Sequence, residues 1–326
     1  LGDVYKRQAF INCSLPDSEG FVSFGVSADL TPSAVEKARI IVAQINPLMP
    51  FTYGDSVIHS SCIDAMVKVN DPLAETVDTP PTPEELAIGR AIAELLPDGA
   101  VLQVGVGAIP NAVLHSLKSH RHLGIHSEAL TEGLMDLMEA GVVDNSLKQI
   151  ERGRSVASLV LGTRRLYDFV DHNRDIVMRD IAWVNDPFII AQNHNMAAIN
   201  SCLEIDLSGQ VCADSIGTRI YSGVGGQHDF VYGSSRSTGG QSFIAMLSTT
   251  SKGQSKIRPV LTQGAGVVTT RFQTNWVVTE YGAVNLRGKN MIERARLLIS
   301  IAAPQFREEL DREAFNMLGY AYRRWR

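Results

Sequence analysis

A chain of 326 residues that is 44% hydrophobic and 20% charged has ample apolar material for a buried interior, and its length suggests about two domains. The formal net charge of −5 argues against a general attraction to nucleic acid or to an anionic membrane, so any anionic ligand must be held by local groups. Cys13, Cys62, Cys202 and Cys212 are scattered without a C-x-x-C pair, which fits reduced, mostly buried thiols better than a zinc site or a disulfide framework. No apolar run approaches the ~18 residues of a membrane-spanning helix, and the first residues lack an apolar segment of signal-peptide type, so a cytoplasmic location is expected.

In chain order, residues 1–8 (LGDVYKRQ) do not join the pattern that follows and read as foreign residues on an incomplete N-terminus. Residues 9–30 hold two β-type runs separated by the turn sequence Pro16-Asp17-Ser18-Glu19-Gly20. Thr31-Pro32 then opens an expected helix whose apolar residues Ala34, Val35, Ala38, Ile41, Val42 and Ile45 share one face, with Asn46-Pro47 as its stop. A short strand follows near Val57 to Ser60. Asn70 to Pro83 has four prolines and no apolar periodicity, so it reads as a linker and places a domain boundary between 1–78 and 79–326. Past it come a helix near Glu84 to Leu96, strands over Val156 to Leu161, Met196 to Ser201 and Gln210 to Ile216, and a helix over Arg164 to Val170. Further strands are expected near Phe243 to Leu247 and Trp276 to Thr279, and a last helix near Ile292 to Ile301. Such alternation predicts an α/β protein with mainly parallel sheets covered by helices and ligands at the carboxyl ends of the strands.

The most informative stretch is Val101 to Gly133. An apolar strand ending at Val104 meets the turn Gly105-Val106-Gly107-Ala108-Ile109-Pro110, which opens a helix, and a second short strand over Gly124 to Ser127 delivers Glu128. Gly105 and Gly107 leave backbone N–H groups open to an anion, and Pro110 suits the first helical position, where its missing N–H costs nothing. Alone this approaches a dinucleotide fingerprint, with Glu128 as ribose ligand. Pro110 in place of the third glycine, and a second glycine loop about a hundred residues on, make the nicotinamide reading a runner-up. A lone glutamate at a helix start more often complements the helix dipole. Next to a glycine loop, however, a carboxylate is also a nucleophile that needs no general base to attack an activated acyl group.

The second loop, Ser222-Gly223-Val224-Gly225-Gly226, is an even bet for an ordinary turn, yet it could form another cradle of N–H groups facing the first. Lys252 lies in the polar stretch Ser248 to Ser255 and is a plausible local cation for a phosphorylated ligand, although most such lysines are solvated loop charges. His120, His122 and His126 match no zinc spacing and read as surface or satisfied histidines. Glu280 is a second carboxylate candidate, with pairing to Arg287 or capping as its expected role.

With Q-V-G-V-G-A-I-P, G-I-H-S-E-A-L-T-E-G, S-G-V-G-G-Q-H-D-F and T-E-Y-G-A-V-N-L-R-G-K in this order, the chain resembles the acetyl-CoA hydrolase/transferase family, most of all its 4-hydroxybutyrate CoA-transferase branch. The resemblance implies a two-domain CoA-transferase fold, 1–78 being the remainder of an incomplete N-terminal domain and 79–326 the C-terminal domain. It implies a CoA-transferase working on short-chain acyl-CoA and acetate, butyrate or 4-hydroxybutyrate. By the same resemblance Glu128 becomes a glutamyl-CoA thioester; Gln103, Gly105, Val106, Gly107, Ala108 and Ile109 form the first coenzyme A loop; and Ser222, Gly226 and Lys252 supply further contacts. Coenzyme A would be substrate and covalent intermediate, and no metal is implied. Members with asparagine in place of Ser222 would contact CoA differently there. The alternatives are a hydrolase using the same glutamate, a nicotinamide oxidoreductase, and an inactive CoA-binding remnant, since a sheet missing early strands exposes unpaired edges. The partners implied are acyl-CoA and a carboxylate, without nucleic acid or membrane, and a homodimer would be unsurprising.

Overall fold

The computed structural model describes residues 7–324. Of the segment 1–8, all but Arg7 and Gln8 lie outside the described residues, and Gln8 already pairs with Ile40 in a sheet.

The first part of the chain is built on a three-stranded parallel sheet with Ile40–Ile45 between Gln8–Cys13 and Ala65–Lys68. This corrects the long helix expected from Ala34 to Ile45. The helix stops at Lys37, Ala38 is extended, and Ile40–Ile45 is a strand. The apolar run satisfies both a helical and an alternating period. Pairing on both edges, with Ile41, Ala43 and Ile45 buried in alternation, decides for the strand. Residues 69–82 hold no helix or strand, yet they are tied down: the Tyr167 hydroxyl donates to Ala74 O at 2.7 Å and Asn46 Nδ2 to Asp71 O at 2.7 Å.

The larger sheet has six strands in the order Gly282–Asn285, Trp276–Thr279, Gln241–Ala245, Met196–Ser201, Val101–Val104 and Gly124–Ile125. All neighbours are parallel except the hairpin at the Gly282–Asn285 edge. Both faces are covered, as a parallel sheet requires. Leu102, Ile199, Phe243 and Val278 pack on one face with Ile88 and Ile92 of the Pro83–Ala93 helix and Val113 of the Ala108–Ser116 helix. On the other face Met196 and Ala198 meet Phe230, while Ile244 and Val277 meet Leu298. A Cβ on Gly89 would lie 2.4 Å from Ala112 O, so the helices Pro83–Ala93 and Ala108–Ser116 touch where a side chain is missing.

The strand read over Val156 to Leu161 is two, Ser155–Ala157 and Leu159–Leu161, because the chain switches partners at Ser158. Gln210 to Ile216 likewise divides into Val211–Cys212 and Ser215–Ile216. Sequence reasoning passed over the helices Glu132–Glu139, Gln227–Arg236 and Pro304–Leu318. Among the described residues no helix is long and apolar enough to cross a membrane. All four cysteines are free and only Cys62 is exposed; burial pushes the thiols of Cys13 and Cys202 up to about 12.

Candidate active site

Three parallel strands end at one place, and their register sets the site. Gly105 N–H donates to Ile199 O at 3.1 Å, which fixes the first glycine loop against the Met196–Ser201 strand. Gln103 and Asn200, on adjacent strands, exchange amide hydrogen bonds of 3.2 and 2.9 Å beneath that loop. Gly107 has φ 130° and is the N-cap of the helix beginning at Ala108. Pro110 is therefore the third helical residue rather than the first, still within the turn whose N–H groups have no helical partner.

Glu128 is held by its backbone from below. His126 N–H donates to Leu102 O at 3.0 Å and Ser127 N–H to Val156 O at 3.1 Å, and the carbonyl of Glu128 accepts from both Ser158 N–H and Leu159 N–H at 2.9 and 3.0 Å. The break between the two short strands at Ser158 thus serves to seat the glutamate. Lys148, buried, donates to Ile125 O and Arg154 O at 2.7 Å each, and burial lowers its ammonium to about 7 against the pull of Glu151.

The half-buried carboxylate of Glu128 accepts a hydrogen bond from Asn185 Nδ2 at 3.0 Å. Asn185 follows the short helix Ile181–Val184, and the imidazole of His126 locks that helix in place, its Nε2 lying 2.9 Å from Val184 O. His126 is fully buried, and burial lowers it to about 4, so the ring is neutral and Nε2–H is the donor. Among the described residues its Nδ1 has no partner, and Trp183 and Phe230 pack against the ring. One strand end therefore supplies both the carboxylate and the side chain that steadies the carboxylate's partner.

The second glycine loop closes over the other side. Gly226 is the N-cap of the Gln227–Arg236 helix, and a Cβ placed on it would lie 2.6 Å from Glu128 Oε2 and 2.5 Å from Asn185 Nδ2. The carboxylate thus occupies the space that a side chain at 226 would fill. A cavity of about 460 Å³ is lined by Gln103, Gly105 and Val106 on one side, Ser222 to Gly226 on the other, and Glu128 between them. Asp229, one turn into the helix, is raised by burial and by the Glu128 and Asp186 carboxylates, against the pull of His228.

Of the residues singled out from sequence, Glu128, Gln103, Gly105, Val106, Ser222 and Gly226 line this cavity; Gly107, Ala108 and Ile109 stand behind it at the helix start. Lys252 does not line it and sits in an exposed turn after the Gln241–Ala245 strand, at the same end of the sheet. Asn185 and Asn200 escaped sequence reasoning because no motif surrounds them. The histidines do not converge: His120 Nε2 lies 3.1 Å from Ala93 O, His122 pairs with Asp144 at 2.7 Å and His126 is internal. Glu280 does not pair with Arg287; it accepts the N–H and hydroxyl of Ser248 at 2.8 and 2.6 Å. The hairpin turning at Tyr281 carries Arg287 back past Trp276, a strand's length away. Among the described residues no group of three or more His, Cys, Asp or Glu side chains could hold a metal ion.

Comparison with known proteins bears on the family and the fold. The acetyl-CoA hydrolase/transferase N-terminal domain matches residues 3–77 and the C-terminal domain of the same family residues 162–314, with Glu128 between the two spans. The 4-hydroxybutyrate coenzyme A transferase of Clostridium kluyveri is 48% identical over 306 residues, 94% of this chain and 71% of the relative. RipA from Yersinia pestis superposes with a TM-score of 0.92 at 42% identity, covering 96% of this chain and 71% of that one. A 4-hydroxybutyrate CoA-transferase from Porphyromonas gingivalis superposes with a TM-score of 0.87 at 40% identity, covering 95% and 75%. The fold is the two-domain α/β fold of these proteins.

Proposed function

Because the chain belongs to the acetyl-CoA hydrolase/transferase family, we propose that Glu128 is the nucleophile of a CoA-transferase acting on short-chain acyl-CoA and carboxylate pairs. The observation that carries this is the placement of one carboxylate between two glycine loops that share a cavity. The carboxylate attacks the acyl-CoA carbonyl and expels CoA thiolate, leaving an acyl-glutamyl anhydride. The thiolate then attacks the glutamyl carbonyl, which releases the free acid and leaves a glutamyl-CoA thioester. A second carboxylate reverses the two steps, so bonds formed and broken balance without an outside oxidant or reductant.

Backbone N–H groups of the Gly105–Ile109 and Ser222–Gly226 segments would stabilise each tetrahedral oxyanion, where one lost donor typically costs about 3 to 4 kcal/mol. Asn185 Nδ2 is a further donor to the same carboxyl group. Lys252, exposed at the same end of the sheet, is the proposed cation for the phosphates of CoA, whose distant nucleotide half can supply binding energy for strain at the reacting centre. The same reading divides the chain into 1–78 and 79–326, supported by the element-free stretch 69–82. The acyl groups proposed are of the acetate, butyrate and 4-hydroxybutyrate type.

Ping-pong kinetics follow. Incubation with acyl-CoA should leave coenzyme A on the peptide containing Glu128, detected by mass spectrometry; a folded full-length protein without that adduct would defeat the assignment. Product analysis with an acceptor acid separates transfer from hydrolysis, since a hydrolase yields free acid and CoA even when acceptor is present.

A further inference from the structure

We propose that the cavity between the end of the Gln227–Arg236 helix and the start of the Met291–Ser300 helix is a second ligand site, one that binds a multiply charged phosphate such as a diphosphate ester. It lies at the opposite end of the six-stranded sheet from Glu128. The Gln227–Arg236 helix touches Glu128 through its N-cap Gly226 and reaches this cavity through Arg236, and ten residues at ~1.5 Å each separate the two sites by about 15 Å. The loop before Trp276 and the residues after Asn285 form its other walls, at the ends of the strands away from the glycine loops.

Four cations line this cavity, Arg236, Arg287, Lys289 and Arg294, with no carboxylate among the lining residues. In a chain of net charge −5 such a cluster is a local feature rather than a consequence of composition. Among the described residues, ion pairing within the cluster is limited to Lys289 with Glu293, 3.9 Å apart. Arg236 also complements the negative end of its own helix. Arg294 has no such use: it is 8% exposed, and its guanidinium donates to the carbonyls of Lys289, Ser208 and Arg271 at 3.0, 3.3 and 2.6 Å without meeting a carboxylate. Burying a cation without a counter-charge is costly, and a bound anion removes that cost.

A second observation points to a ligand. Asn275, also 8% exposed, lines the cavity, and its buried Oδ1 has no hydrogen-bond donor among the described residues. Phe272, 90% exposed, and Tyr232 offer ring faces at the rim. Guanidinium groups match phosphate oxygens in pairs, and four positive charges exceed what one carboxylate would neutralise. The volume, about 460 Å³, is in the range of small-molecule sites.

The test is titration calorimetry on the full chain with pyrophosphate, ADP and citrate, in wild type and in Arg236→Ala/Arg287→Ala, two rim positions whose replacement leaves the buried Arg294 in place. The expected result is one-to-one binding of pyrophosphate or ADP, weakened about tenfold or more in the double variant and by added salt, with an unchanged KM for acyl-CoA. The tighter of the two names the source, free diphosphate or nucleotide. Absence of heat with either phosphate, equal binding in the double variant at matched thermal stability, or tighter binding of citrate would overturn the proposal. So would a KM for acyl-CoA that rises in step, because the cavity would then be part of the CoA site. The binding outcomes do not depend on whether Glu128 forms a thioester; only the KM comparison requires turnover of acyl-CoA.

Discussion

Gly226→Ala tests the site by a single methyl group. Gly226 has φ −86°, which any residue adopts, so the substitution adds no backbone strain and acts only through its Cβ. That atom would stand 2.6 Å from Glu128 Oε2 and 2.5 Å from Asn185 Nδ2, where ordinary contact begins at 3.4 Å; the carboxylate must therefore move by 0.8 Å, the difference of 3.4 and 2.6. A shift of that size at a reacting atom costs up to about 100-fold in rate, and the lost amide hydrogen bond to a carboxylate is worth roughly 1.5 to 3 kcal/mol. The two estimates describe the same displacement, so kcat should fall by about one to two orders of magnitude. Gly223→Ala is the matched control, since nothing lies within 4 Å of its Cβ. The assay is steady-state transfer from acyl-CoA to acetate, with thermal melting to show that both variants fold. A Gly226→Ala enzyme within about threefold of wild type, or a Gly223→Ala enzyme impaired equally, would refute the geometry on which the site rests.

Glu128→Gln keeps the amide contacts but removes the nucleophile; turnover and the trapped adduct should vanish while CoA still binds, as calorimetry would report. Lys252→Ala should raise KM for acyl-CoA with little change in kcat, because it removes ground-state and transition-state binding alike; a drop in kcat alone would count against its role. His126 titrates at about 4 when folded against 6.5 otherwise, so between these values the unfolded chain carries a proton that the folded one lacks. Stability is therefore lost as pH falls from 6.5 to 4, by on the order of 3 kcal/mol. Denaturant midpoints at both ends of that window should show a shallower loss in His126→Asn, and an unaltered loss would mean the imidazole is not the group responsible. Gly89→Ala should lower the melting temperature, because a Cβ 2.4 Å from Ala112 O forces two helices apart at about 1 to 3 kcal/mol, more than the gain in helix propensity returns.

The unit from Val101 to Glu128 was readable from sequence because each part of it is local. Glycines mark a turn, a short apolar run marks a buried strand, and the acid follows within a few residues. The same holds for Met196–Ser201, Trp276–Thr279 and Arg164–Val170, which the structure forms over the expected residues. Ile40–Ile45 was misread because its apolar residues suit two periods equally, and only its two flanking strands choose between them. The Gln227–Arg236 helix was missed because Gly226 and the polar Gln227-His228-Asp229 look like a continued turn until Phe230 and Val231 find the sheet.

Sequence alone determined the chemistry on offer: an acid at a strand end, two glycine segments able to present N–H groups, and the family pattern that joins them. Tertiary structure decided that Asn185, 57 positions away, donates to Glu128, that Gly226 stands where any side chain would collide with it, and that Arg287 is carried to the far end of the sheet from Glu280. Local pattern records which face of a strand or helix is apolar. It does not record the register between distant strands, and that register sets which side chains meet at the carboxyl end of the sheet.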